Sequence, residues 1–194
     1  MKLSDIKTLV KSIPIILAVA LYLIFKPDAD EGTITAEEAA SLTGNALYDV
    51  TYAEASDGDT ITVTVDGKKE RVRLLLVDTP EMNYKENDPQ PYAEEAKQFT
   101  IDLLENAEKV QLLHDVGDKT DHYDRLLAYV FVDGVLLQER LLQEGYAAVR
   151  YKYEPNTTLE QQLYAVQEEA KSAKVNIWSV EGYFDEKSGF QQSK

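Results

Sequence analysis

Between Tyr48 and Val77 the chain abandons helical spacing and adopts a period of two, and this switch constrains the fold more than any other feature. Tyr48 to Ala53, Thr60 to Val65 and Lys69 to Val77 are rich in β-branched residues and alternate in polarity, as half-buried strands do. Asp66-Gly67 between the second and third is a hairpin turn signal. Lys109 to Leu113 and Leu126 to Val132 supply two further strands, the last ending at Asp133-Gly134. Helical spacing occupies the intervals. Pro91 to Glu105 places Ala93, Ala96, Phe99, Leu103 and Leu104 on one side. Val135 to Glu144 stops at Gly145, and Thr158 to Lys171 follows Pro155-Asn156. Five short strands, with one helix after the third and more after the fifth, specify a mainly β, α+β chain. The expected architecture is a five-stranded barrel of the OB type with about three helices.

Ahead of this body (46–180) lie two segments, and after it a polar tail (181–194). Lys2, Lys7 and Lys11 precede an apolar run from Ile13 to Phe25, closed by Lys26. That run is short of the roughly 20 residues a membrane span needs. Counting from Ile6, with the lysines reaching back to the interface, residues 6–25 become long enough. Three readings therefore stand for residues 1–26: a retained hydrophobic helix that anchors the chain in a membrane, a cleaved signal peptide, or a buried core helix. Lysines on the N-terminal flank place the body outside the cytoplasm in the first case, and in the second the body is secreted. Residues 27–45 read as an acidic linker with a short helix, which Thr35 caps with Glu38 reaching back and Gly44 ends.

The chain has no cysteine, which excludes disulfides, thiolate metal sites and a cysteine nucleophile. Its formal net charge is -15, and the first 26 residues hold four lysines and one aspartate, leaving the remainder at −18. Such an envelope opposes broad electrostatic attraction to nucleic acid. Any site for a phosphate must then be locally positive.

Three segments supply such a site. Asp59, in Asp57-Gly58-Asp59-Thr60, and Asp78 each stand at a strand boundary, where a barrel mouth would bring them together. Paired carboxylates with a backbone carbonyl suit calcium or magnesium. Zinc is not suited, since the only candidate nitrogen ligands are His114 and His122. Arg73 lies inside a strand and Arg125 directly precedes one; a guanidinium grips oxyanions through two parallel hydrogen bonds. Glu81 follows Thr79-Pro80, where the proline ends the strand, and a carboxylate held there can take a proton from water.

The wording and order of these segments resemble the thermonuclease, or staphylococcal nuclease, family. The resemblance runs from about Val50 to Trp178. It is carried by Asp57-Gly58-Asp59-Thr60, Arg73 to Glu81, Thr120-Asp121 with Tyr123 and Arg125, Leu127-Ala128-Tyr129, Tyr151 and Tyr153 with Pro155-Asn156, and Asn176-Ile177-Trp178-Ser179. It implies a calcium-dependent hydrolase of DNA and RNA that leaves 3′-phosphate ends; the expected substrate is single-stranded or frayed, and nothing in the sequence suggests more than a monomer. Asp59, Asp78 and the Thr79 carbonyl would hold Ca2+. Glu81 would act as general base or orient the attacking water, and Arg73 and Arg125 would neutralise the phosphate. Tyr123, Tyr151 and Tyr153 would flank the nucleotide.

Departures from the family pattern remove positive charge. His122 and Glu154 stand where basic residues are familiar, and Asp124 and Leu126 flank Arg125 in place of small residues. His122 is a candidate phosphate contact when protonated. The alternative readings are a nuclease-like OB-fold binding module without catalysis, or a structural domain tethered at the cell surface.

Overall fold

The computed structural model describes residues 34–85 and 88–191. The hydrophobic segment expected at residues 6–25 lies outside the described residues. Among those described, no helix is long and apolar enough to cross a membrane.

Strands β1 (Tyr48–Ala55), β2 (Thr60–Val65) and β3 (Lys68–Leu74) form an antiparallel meander. β5 (Val110–Leu113) pairs with β1 and with β6 (Leu126–Val132), and β6 runs parallel to β3. That last pairing closes five strands into a barrel, the OB arrangement expected, in an α+β fold with four α-helices among the described residues. A register shift between Tyr52 and Glu54 marks a bulge in β1, and bulges of this kind bend a strand at a barrel corner.

The Asp-Gly pairs at 66–67 and 133–134 form the turns their chemistry favours. Asp66 and Gly67 have φ of 49° and 79°, and Asp133 and Gly134 have φ of 51° and 85°, the doubly left-handed pattern that matches strand twist. The second turn alters the reading of the sequence. Val135–Leu136 is a strand, β7, returning along β6, and the helix starts only at Leu137.

Helix α1 (Ala36–Thr43) buries Ala36 and Ala39 beside Ile34. Thr35 Oγ1 accepts from Glu38 N at 3.1 Å, and Gly44 ends the helix at φ 68°. Helix α2 (Ala93–Glu105) buries Ala93, Ala96, Thr100 and Leu104; α3 (Leu137–Gln143) buries Leu137, Leu141 and Leu142; α4 (Glu160–Ser172) buries Leu163, Gln167 and Ala170. These faces cover a barrel core built on Ile61, Val63, Val72, Leu74, Leu112, Tyr129 and Phe131.

The chain beyond Gly182 is more ordered than its polar composition suggests. β9 (Phe184–Asp185) and β10 (Gly189–Phe190) form a hairpin. Tyr183 is buried, and Phe184 and Phe190 pack with Trp178 and Tyr92 in a second small cluster.

One buried carboxylate organises the loops beneath the barrel mouth. Asp115 accepts from Tyr129 Oη at 2.7 Å, from Val116 N at 2.7 Å, from Thr158 N at 3.0 Å and from Thr158 Oγ1. Asn156 completes the link, accepting from Gly117 N at 2.8 Å and donating to Asp118 O at 2.9 Å. Removing one donor from a buried carboxylate costs about 1–3 kcal/mol. Tyr129→Phe should therefore lower stability by about that amount in urea denaturation while leaving the fold intact.

Candidate active site

The segment Arg73 to Glu81 leaves the barrel earlier than its alternation implies. β3 stops at Leu74, and Leu74, Leu75 and Leu76 are all buried. Leu76 adopts a left-handed φ of 63°. A bulky residue takes that conformation only under tertiary constraint, and here Leu75 N bonds Ala128 O at 3.0 Å while Arg150 N bonds Leu76 O at 3.0 Å. The reversal delivers β4 (Val77–Asp78) to a pairing with β8 (Ala148–Val149). Asp78 is thereby returned to the neighbourhood of Asp59.

Asp59 follows a turn that requires glycine. A Cβ on Gly58 would lie 2.8 Å from Thr79 Cγ2 and 3.1 Å from Ala96 Cβ. Thr100 Oγ1 donates to Gly58 O at 2.8 Å, locking α2 against the turn. Asp59 and Asp78 are each 3% exposed. Asp59 Oδ2 accepts from Thr79 N at 2.8 Å. Arg73, its side chain only 11% exposed, spans the pair: Nη1 contacts Asp59 Oδ1 and Nη2 lies 3.2 Å from Asp78 Oδ1.

The electrostatics of this cluster are those of crowded acids. Burial first, and then the charge of Asp59, push the carboxyl of Asp57 up to about 8. Burial, followed by the charge of Asp59, also raises Asp78. Glu81 is raised by burial and then by Asp59 and Asp78, against the opposing pull of Arg73 and Arg125. Its backbone is clamped by Gln90, whose Oε1 accepts from Glu81 N at 2.7 Å and whose N donates to Glu81 O at 3.0 Å.

Arg125 is held by its own loop. Asp121 Oδ1 accepts from Tyr123 N at 2.9 Å and from Arg125 N at 3.0 Å, while Oδ2 takes Arg125 Nε and Nη2 at 2.7 Å each. Asp124 turns this loop at φ 58°, and Arg71 Nη2 anchors it from β3 through Tyr123 O at 2.7 Å. Tyr151 and Tyr153 project from the opposite wall with ring centroids 6.2 Å apart, and the Arg73 guanidinium carbon lies 5.2 Å from the Tyr151 ring. The His122 ring is 3.8 Å from that of Tyr123.

A groove of about 710 Å³ gathers Arg73, Glu81, Arg125, His122, Tyr123, Tyr151 and Tyr153. Asp59, Asp78 and Thr79 lie behind Arg73 and reach the groove through it. Seven of the ten site residues read from the sequence thus line this groove, and Asp59 and Asp78 touch it through Arg73. His114 does not: it donates Nδ1–H to Leu127 O at 2.8 Å and meets Tyr48 Oη at 2.9 Å, a structural pairing. Acid groups also line the groove, namely Asp118, Asp121 and Glu154.

Residues 71–180 match the family described as staphylococcal nuclease homologue, more than half of the chain. The chain belongs to this family. It is 52% identical over 137 residues to endonuclease YncB of Bacillus subtilis (strain 168), covering 71% of this chain and 64% of that protein. To the SPbeta prophage-derived endonuclease YokF of the same strain it is 51% identical over 137 residues, with coverage of 71% and 46%. To the thermonuclease of Staphylococcus hyicus it is 44% identical over 124 residues, with coverage of 63% and 71%. The aligned part therefore spans less than two thirds of the two Bacillus subtilis relatives. Arg73, Asp78, Glu81 and Arg125 all lie within the matched residues, and Asp59 precedes them.

Two groups at the site were not legible as such. Arg150 Nη1 bonds Asp78 Oδ2 at 2.8 Å, a contact created by the β4–β8 pairing and announced by no local pattern. Asp57, read as part of a turn, is the third carboxylate of the acid cluster.

The raised Asp57 sets a stability profile. Its carboxyl ordinarily titrates at 3.8 and reaches about 8 in the folded chain, so the folded state binds the extra proton between those values. Stability in chelator should therefore fall as pH rises from 4 to 8. Asp57→Asn removes that dependence and should stabilise the protein at pH 8 by about 1–2 kcal/mol, discounted for partial solvent exposure. Thermal unfolding at pH 6 and pH 8 measures both.

Proposed function

We propose that this chain is a metal-dependent phosphodiesterase that hydrolyses DNA and RNA, with calcium as the working ion. The observation that carries the reading is Arg73 bridging two buried aspartates at the end of a groove that also holds Glu81 and Arg125. Family membership, and relatives named endonuclease and thermonuclease, support the same activity.

The donor set fits a hard divalent ion. Among the described residues no three His, Cys, Asp or Glu side chains converge on one ion position, so side chains alone would not complete the coordination. Two carboxylates and the Thr79 carbonyl are oxygen donors of the kind calcium and magnesium take, with solvent or substrate oxygens filling the remainder. The acids are already crowded enough to raise one another, and a guanidinium occupies the bridge between them. Thr79 Oγ1 is buried with no hydrogen-bond partner among the described residues, a polar atom left open beside the acid pair. A bound ion would supply charge compensation and polarisation at the phosphate.

The protein groups then divide the work. Glu81, its backbone fixed by Gln90, takes a proton from the attacking water as the new oxygen–phosphorus bond forms. Arg125, preset by Asp121, and Arg73 donate hydrogen bonds to phosphate oxygens as charge builds in the five-coordinate transition state. The 5′-oxygen leaves with the bonding pair and takes a proton from solvent, giving a 3′-phosphate end. Tyr151, Tyr153 and Tyr123, at 39%, 71% and 59% exposure, offer stacking faces to unpaired bases, favouring single-stranded or frayed substrate. His122 adds a phosphate contact when protonated. The acidic rim demands that this local positive charge do the binding. The protein acts outside the cytoplasm as a monomer, anchored through residues 6–25 or released after their removal.

Cleavage of single-stranded DNA and RNA by the full-length protein should require calcium, respond differently to magnesium and stop in chelator. Glu81→Gln should lower the rate about 10²–10⁴-fold with the fold unchanged. Because Glu81 titrates above its ordinary 4.5, the rate should fall on acidification through a midpoint above that value. No cleavage by the folded protein, with nucleic acid still bound, would turn the reading to a non-catalytic binding module.

A further inference from the structure

Arg150 stands against the acid cluster as a second guanidinium, on the Asp78 oxygen that Arg73 leaves free. Arg73 holds Asp78 through Oδ1, and Arg150 Nη1 takes Oδ2 at 2.8 Å. Both oxygens of one candidate ion ligand are thus engaged by guanidinium groups. Arg150 does not line the substrate groove. It lies over the Tyr151 ring, 4.7 Å from its centroid, and its far side is covered by the C-terminal hairpin. Nη2 donates to Lys187 O at 3.3 Å, in the turn between β9 and β10. Gly189, at φ 79°, packs so closely that a Cβ there would overlap the guanidinium. The hairpin lies beyond the residues matched by the family, which end at 180, and it still meets the ion-ligand Asp78 through one side chain.

We propose that Arg150 is the built-in counter-ion of Asp78, opposing cation binding, and that the C-terminal hairpin at residues 184–190 sets the strength of that opposition by holding Arg150 in place. The inference rests on the cation-site reading above. A fixed positive charge within hydrogen-bond distance of an ion ligand repels the ion through a partly dry interior, where screening is weak. The docked hairpin denies Arg150 the freedom to swing into solvent. Linkage makes the effect reciprocal: if hairpin docking weakens cation binding, the cation must weaken hairpin docking by the same factor.

The test is calcium titration of the full-length protein by calorimetry, with hydrogen exchange of the amides in 184–191 as a second readout. Arg150→Gln keeps an amide donor for Asp78 and removes the charge. It should tighten calcium binding roughly five- to 150-fold, the usual span of coupling between sites. Gly189→Ala displaces the guanidinium from outside the acid cluster and should change affinity in the same direction. In the parent protein calcium should speed exchange in the hairpin, and in Arg150→Gln it should leave exchange unchanged. Unchanged or weaker calcium binding in Arg150→Gln overturns the proposal. So does a tightened Arg150→Gln whose parent hairpin ignores calcium. Asp78→Asn separates the two levels: calcium binding undiminished in that variant would mean the cation-site reading itself had failed. Its loss there, with Arg150→Gln unaltered, would strike this inference alone.

Discussion

A guanidinium buried between two carboxylates is the interaction on which the rest of the site depends. Asp59 and Asp78 are almost wholly withdrawn from water, and two such acids cannot both stay ionised side by side without a compensating charge. Arg73 provides it from β3. The arrangement holds because each partner has a second anchor. Asp59 accepts from Thr79 N, and Asp78 accepts from Arg150. A buried pair of this kind adds little net stability, but losing one member is expensive. The cluster therefore reads as a device for placing charge at the groove and not as a contribution to the fold.

The barrel serves that placement. Closure of β3 on β6 puts Arg73 beside Leu127 in register, so the arginine on one strand and the Arg125 loop leading into the other share a wall. The left-handed turn at Leu76 then carries Asp78 back over the barrel mouth. α2 packs against Gly58 so tightly that the aspartate turn has no lateral freedom. Below the groove, Asp115 and Asn156 tie together the loops that lead to Arg125 and to Tyr153. Ordered elements thus fix the positive groups, while the aromatic side chains Tyr123, Tyr151 and Tyr153 stay exposed.

Much of this was legible in the sequence, and the division has a physical basis. Strand alternation, the Asp66-Gly67 turn and the Thr35 cap are short-range effects, and each appears where local chemistry puts it except at the end of β3, which stops at Leu74. The same logic applied to Asp133-Gly134 would have recovered β7, where helical spacing from Val135 prevailed instead. Leu76 was illegible because its conformation is imposed by contacts with residues 128 and 150, and nothing about leucine announces it. Arg150 was illegible for a related reason, since only the long-range pairing of β4 with β8 brings it to Asp78. The hairpin was missed because three aromatic residues, Tyr183, Phe184 and Phe190, are spread through a polar stretch and gain a core only when folded against Trp178 and Tyr92.

Arg73 occupies, as a cation, the place where the acid pair demands positive charge. The most direct test is Arg73→Met, followed by urea denaturation in chelator and in millimolar calcium. Removal of the guanidinium should cost about 3–5 kcal/mol in chelator, the usual penalty for unpairing buried charge, and calcium should restore most of it. A variant as stable as the parent in chelator, or one destabilised equally with and without calcium, would contradict the account.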